Sequence, residues 1–471
     1  MLSHRGLPQG PDSTMKKEDN SSARDKGSRP RRSLLLLGLS FFGVASLSYL
    51  LGAAVIYFDL PSSSFLRRAF GGGVSWYEWK PGRTPDEGRI SPPVGKVDKP
   101  DKTCDGFTLC MYGGGTRATL INMRGEVVHQ WHVPFREIWS APPHLRGEIK
   151  DAAVYFNDGR VYPNGDLLAV IEGPISVRNP SNGYGLVKLD KDSHVLWKYA
   201  EKCHHDIDVA EDGTIYALVN EIVDQVPRGM EYLPTPCMVD VVDVISPEGK
   251  RLKRLPLLEA FHDSPYAALL STLEKPRRMG GEAPFSTRLP DFRDDERRRD
   301  VLHLNAVKVL SRALAPKFPQ FKAGQLLLSP RRLDALAVLD PDSGKVVWAA
   351  RGPWLAQHDP SFLDNGRLLL FDNLGAPRSS RVLEYDLNTQ AFPWSYPGER
   401  GTPFFSMIRG LCQRLPNGNT LIINSEGGEV FEVTPSREVV WSYYFGGEIY
   451  RARRYPPDQL PFLKGGPRAR P

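Results

Sequence analysis

Three short segments of the chain each set a histidine beside an acid or an amide: His204-His205-Asp206, His303-Leu304-Asn305 and Gln357-His358-Asp359. Imidazole changes its charge near neutral pH, and its unprotonated nitrogen is a nucleophile. Two arginines hold comparable places. Arg331 follows the apolar run Leu326-Leu327-Leu328, and Arg381 follows Ser379-Ser380 one repeat later. Guanidinium groups clamp oxyanions in two-pronged contacts and hold charge that develops during transfer. Neutral imidazoles with guanidinium, and no obvious carboxylate pair, suit transfer of a charged oxyanion group. Asp206, Asn305 and Asp359 stand close enough to the histidines to orient a ring and fix its tautomer. His204, Asn305 and Arg381 complete the set as substrate-binding candidates. Two other readings compete. Converging histidines can ligate a metal with an open position for hydrolysis or oxidation, although no characteristic ligand spacing is present. The same surface can also be a non-catalytic binding platform.

The three segments share one local setting, a strand entrance. His204-His205-Asp206 precedes Gly213–Val219, His303 opens Ala306–Leu310, and His358 precedes the turn Asp364-Asn365-Gly366 and the apolar strand Leu368–Phe371. Around them a hairpin recurs: an apolar strand, a turn, and a second strand often ending in Trp. Its copies are Leu120–Trp131, Leu186–Trp197, Val241–Arg254, Leu336–Trp348, Val382–Trp394 and Val430–Trp441. A turn and a buried strand precede most of them, as in Pro163-Asn164-Gly165, Asp212-Gly213 and Pro416-Asn417-Gly418. Two hairpins per repeat make a four-stranded blade, and blades must stack around an axis to bury both faces. The pattern predicts an all-β fold, a six-bladed β-propeller over 107–463, with a β-sandwich array as the alternative. The strand that closes the ring is not assigned. Within this span, 256–300 departs from the repeat: Pro256–Pro290 has a partly helical pattern and Asp291–Asp300 is strongly charged. It reads as a solvated surface insertion or as a lid over one mouth.

The chain has 471 residues and a formal charge of +6. Much of that excess falls in the terminal segments, so it gives no ground for nucleic-acid binding. Residues 1–32 are basic and polar and read as disordered. Leu34–Tyr57 contains no charged residue and is long enough to span a bilayer, so 33–58 is expected to be a single transmembrane helix. Arg29, Arg31 and Arg32 before it favour a cytoplasmic N-terminus, with the propeller on the periplasmic, extracytoplasmic or lumenal side. Residues 59–106 read as a linker and lead-in, and 464–471 as a disordered tail. Five cysteines are sparse; Cys104 and Cys110 can pair, but sequence does not fix connectivity. The sequon Asn20-Ser21-Ser22 lies on the expected cytoplasmic side.

The chain resembles the aryl-sulfate sulfotransferases, six-bladed propellers that move a sulfuryl group between phenols without a nucleotide donor. The resemblance is carried by the three histidine segments, by Ser329-Pro330-Arg331, Leu370-Phe371-Asp372-Asn373, Gln413–Asn419 and the closing Ile449–Pro456. It implies His358 as the nucleophile that carries a transient sulfohistidine. It implies His205 and His303 as the flanking histidines at the sulfuryl group or leaving oxygen, and Arg331 as the clamp on the sulfonate oxygens. The implied substrates are an aryl sulfate donor and a phenolic acceptor, with no cofactor. The chain departs from the family pattern at Ala306, where Ser is usual, and at Arg332, where His is common.

Overall fold

The computed structural model describes residues 95–97, 99–175, 179, 181–233, 235–273, 300–376, 379–397 and 404–465. The chain divides into two compact units, Met1–Asp86 and Glu87–Pro471, and the described residues all belong to the second. The transmembrane expectation at 33–58, the basic N-terminal segment, most of the lead-in and the tail lie outside them. Among the described residues no helix is long and apolar enough to cross a membrane.

The repeated hairpins fold into six antiparallel sheets. Strand β1 (Gly95–Val97) comes first in the chain but sits at a sheet edge. The first blade contains β2 (Phe107–Tyr112), β3 (Arg117–Ile121) and β4 (Val127–His132). Blades two to five are each continuous in sequence: β5–β8 (155–199), β9–β12 (203–256), β13–β16 (304–351) and β17–β20 (358–396). The sixth contains β21–β24 (411–444). The last strand, β25 (Ile449–Tyr455), returns to pair with β2, with Phe107 opposite Tyr455. It thereby becomes the innermost strand of blade one. At the other end of the chain, β1 pairs with β24 on the outer edge of blade six. Closure therefore uses both an early and a late strand. The six inner strands touch in sequence, β25 to β5, β9, β13, β17, β21 and back to β25.

Burial explains why the second strand of each repeat reads as an unbroken apolar run. In β6 (Leu167–Glu172), Leu167, Ala169 and Ile171 enter the core shared with blade one, and Leu168 and Val170 enter the core shared with blade three. Side chains alternate across a strand, so a strand between two blades is apolar on both faces. The same split recurs in β14 (Leu326–Pro330), with Leu326 and Leu328 on one side and Leu327 on the other. The recurrent tryptophans staple neighbours together. Trp131 Nε1 donates to Gly165 O of the next blade, Trp197 to Pro247 O, Trp394 to Pro435 O, and Trp441 to Met123 O across the closure. In the third copy Arg254 replaces the Trp and instead pairs with Asp243 and Glu221.

The insertion begins as core. Leu257, Leu258 and Phe261, in a short helix over Leu257–His262, pack with Leu270 and Leu273 into the cluster between blades three and four. Residues 274–299 lie outside the described set. All five cysteines are buried free thiols, so Cys104 and Cys110 are unpaired.

Candidate active site

The histidines stand where inner strands begin: His204 and His205 in β9 (Cys203–Val209), His303 immediately before β13 (Leu304–Val309), and His358 as the first residue of β17 (His358–Phe362). At each place the pairing with the next strand slips register. His205, His303 and Asp359 take left-handed backbone, at φ 58°, 50° and 46°, which is uncommon for non-glycine residues. A bulge of this kind turns a side chain out of the sheet's alternation, here toward one mouth of the channel. The rings converge: His204 and His205 have centroids 4.9 Å apart, and His205 and His303 have centroids 5.2 Å apart with nearly perpendicular planes.

Each ring is held by a different partner, and that decides its chemistry. His358 Nδ1 lies 2.7 Å from Asn373 Oδ1 and 3.0 Å from Ala356 O. Asn373 Nδ2 donates to Ser406 O and Arg409 O, so its oxygen must be the atom facing His358. Both neighbours of Nδ1 are then acceptors. Nδ1 carries the hydrogen, and Nε2 keeps its lone pair. Burial, reinforced by the Arg331 charge, holds the His358 pKa well below the usual histidine value, so the ring is neutral at neutral pH. His205 Nδ1 lies 3.1 Å from Glu172 Oε1, and that oxygen also accepts from the His205 backbone N–H at 2.7 Å. His303 Nδ1 bonds Asp300 Oδ2. Burial lowers the His303 pKa, and the Asp300 charge opposes this only in part. His204 Nε2 lies 3.2 Å from Asp240 Oδ1. Burial alone raises the pKa of Glu172 and Asp300, but the bonds and charge of their histidines outweigh it and hold each at about 2.

Arg331 opens a single turn, Arg331–Leu333, directly after β14, and its backbone N–H donates to His303 O at 3.2 Å. Its charge contributes to the lowered pKa of both His358 and His303. Arg381 has another setting: it pairs with Asp372, Nε to Oδ2 at 2.9 Å, within its own blade, next to Asn373. Asn305 Nδ2 donates to Gln357 O at 2.8 Å, tying the start of blade four to that of blade five.

The orienting role expected of Asp206, Asn305 and Asp359 falls to other residues. Asp206 and Asp359 face a buried ion network on the channel axis. Arg451 of β25 reaches Asp158, Asp206 and Asp359 at 2.7, 3.1 and 3.3 Å. Arg160 pairs with Asp158 at 3.0 Å, and Lys308 pairs with Asp206. Burial pushes the Asp158 pKa up; Asp206 is equally buried, but Lys308 and Arg451 hold its pKa down. The ring-holding residues Glu172, Asp240, Asp300 and Asn373 come from other strands or from the insertion. The sequence signal for Asn373 was its place in Leu370–Asn373; Glu172 and Asp240 had none. Beside Glu172, Tyr155 stacks on Tyr450 at 4.3 Å, and Arg409 lies over Tyr450 at 4.5 Å.

A small cavity of about 60 Å³ adjoins His204, His205 and His303, with Asp240 and Asp300 in its wall. The larger recess, about 400 Å³, lies at the opposite ends of β17, β21 and β25 and contains none of the histidines. We place the chemistry beside the smaller one because His204, His205 and His303 line it; His358 lies outside its wall, at the start of the neighbouring inner strand β17. Among the described residues no group of three or more His, Cys, Asp or Glu is arranged to hold a metal ion. His205, His303 and His358 turn Nδ1 to carboxylate or amide oxygens, and His204 turns Nε2 toward Asp240.

A family model described as Arylsulfotransferase (ASST) matches residues 161–446, a span holding His204, His205, His303, Arg331 and His358. No curated protein matches the chain. Among solved structures, a protein of unknown function from Bacteroides caccae is 13% identical, with 72% of this chain and 93% of that chain covered and a TM-score of 0.42. A streptogramin B lyase is 10% identical, with 78% and 94% covered and a TM-score of 0.40. A catalytically inactive virginiamycin B lyase from Staphylococcus aureus with quinupristin is 9% identical, with 74% and 89% covered and a TM-score of 0.37.

Proposed function

Because the chain belongs to the arylsulfotransferase family, we propose that it transfers a sulfuryl group from an aryl sulfate to a phenol through a sulfohistidine on His358. The observation that carries this reading is the Asn373 contact, which leaves a neutral imidazole with its Nε2 lone pair available. In the donor step Nε2 attacks sulfur, the S–O bond to the aryl oxygen breaks, and a phenolate leaves. The Nδ1 proton stays on the ring, because an amide oxygen accepts a hydrogen bond but does not take the proton. The sulfohistidine is therefore an N-sulfo imidazolium, a good leaving group for the second step. Arg331 opposes the charge on the sulfuryl oxygens as it shifts. His205 and His303 flank the reacting sulfur and leaving oxygen, and His204 and Asn305 support them from behind. Arg381 braces Asp372 and, through it, the Asn373 segment. We also propose that Leu34–Tyr57 tethers the domain to a membrane as a single span, with the propeller outside the cytoplasm.

Mass spectrometry of protein quenched immediately after mixing with an aryl sulfate tests the mechanism. A labile added sulfuryl mass is expected on the peptide containing His358, and is expected to be missing in His358→Ala. Undiminished transfer by His358→Ala would refute the assignment.

A further inference from the structure

The sulfuryl-transfer reading leaves one proton without an owner: an acceptor phenol must lose its hydrogen as its oxygen attacks the sulfohistidine. Resting on that reading, we propose that Glu172 is a positioning residue that makes His205 the acceptor of this proton. Glu172, at the end of β6 in blade two, is buried at 2% exposure and crosses to blade three. Its Oε1 takes both the backbone N–H and Nδ1 of His205. Its Oε2 accepts from Tyr155 Oη at 3.3 Å, and Arg409 Nη2 lies 3.2 Å from the same hydroxyl. With both oxygens engaged the carboxylate cannot rotate, and as a carboxylate it can only accept. His205 Nδ1 must therefore carry hydrogen, and Nε2 is left basic. His204 Nδ1 also lies 3.1 Å from His205 Nδ1, and His204 Nε2 lies 3.2 Å from Asp240 Oδ1.

The other carboxylate-paired ring, His303, is the poorer choice. The Arg331 charge opposes a second positive charge there. At His205 the new imidazolium forms against Glu172, whose charge compensates it. The step balances. Phenol oxygen bonds to sulfur, the S–Nε2 bond of His358 breaks and its electron pair returns to the ring, and the phenol proton passes to His205 Nε2. In the next donor step that proton goes to the departing phenolate, or to water where the phenolate leaves unprotonated.

The test uses 4-nitrophenyl sulfate as donor, whose phenolate leaves without a proton, and two acceptors. One is phenol, neutral at the assay pH; the other is a fluorinated phenol already ionised there. Glu172→Gln keeps the shape and an acceptor for Nδ1 but removes the charge. Transfer to neutral phenol should fall about 100-fold relative to transfer to the ionised acceptor, the usual worth of a positioned base. His205→Gln should change the ratio in the same way, which serves if Glu172→Gln does not fold. An equal loss on both acceptors would mean a merely structural role and overturn the proposal, as would an unchanged rate with neutral phenol. Wild type that transfers to neither acceptor would instead remove the sulfuryl-transfer reading beneath it.

Discussion

Four histidines of one residue type acquire different properties from one neighbour each. His358 faces an amide, while His205 and His303 face carboxylates. A carboxylate favours imidazolium by its charge; an amide only fixes the tautomer. This difference can be read in pH dependence. The lowered His358 pKa, caused first by burial and then by Arg331, keeps the ring neutral as pH falls through the ordinary histidine value of about 6.5. The rate of sulfohistidine formation should therefore stay flat through that value and fall only below it. Asn373→Asp puts a charge opposite Nδ1 and should move this acid limb to higher pH, by about one unit or more. Rapid-quench labelling across pH measures it; a limb that stays in place would mean Asn373 does not set the His358 charge.

At the scale of the element, the site depends on blades meeting in fixed register. His303 and His358 come from adjacent blades, joined by the Asn305–Gln357 bond and the core between blades four and five. Leu327 is fully buried in that core. Leu327→Ala should lower stability by about 2–5 kcal/mol. Leu252→Ala on outer strand β12 (Arg251–Pro256), where the side chain is 63% exposed, should change it by no more than about 0.5 kcal/mol. Urea unfolding of the two variants decides this, and equal effects would contradict the assigned packing. The bulges at His205, His303 and Asp359 are a second element-scale device. Left-handed backbone at such positions costs on the order of 1–3 kcal/mol each, and the surrounding cores must hold it.

In the whole molecule, the ring is what brings distant segments to one axis. Strand β25 closes blade one and carries Arg451 to the centre, where it meets carboxylates from blades two, three and five. Removing one partner of such a buried network leaves uncompensated charge. The terminal strands β1 and β25 end on different blades, so closure depends on both ends of the domain. The proposed tether belongs to this scale as well. Protease added to intact cells, or to right-side-out vesicles, should degrade the propeller if Leu34–Tyr57 is a single span with the domain outside. Complete protection in sealed vesicles of known orientation would contradict that topology.

The hairpin copies, their turns and the strand-entrance histidines were legible in the sequence because each is local. Period, turn chemistry and an apolar run extend over a dozen residues and are set by short-range sterics and burial. The six-fold repeat then left few ways to cover both faces of each blade, so the propeller followed. Tertiary structure alone decided which carboxylate or amide each ring would face. Glu172 and His205, Asp240 and His204, and Asn373 and His358 lie in different strands. Their meeting depends on register slips and on the angle between blades, which no spacing encodes. Asp206 and Asp359 illustrate the reverse. Their nearness in sequence suggested ring partners, but the bulged backbone sends them to Lys308 and Arg451 on the axis. Charges that close together in a low-dielectric channel must pair with opposite charges, and only the closed ring supplies them.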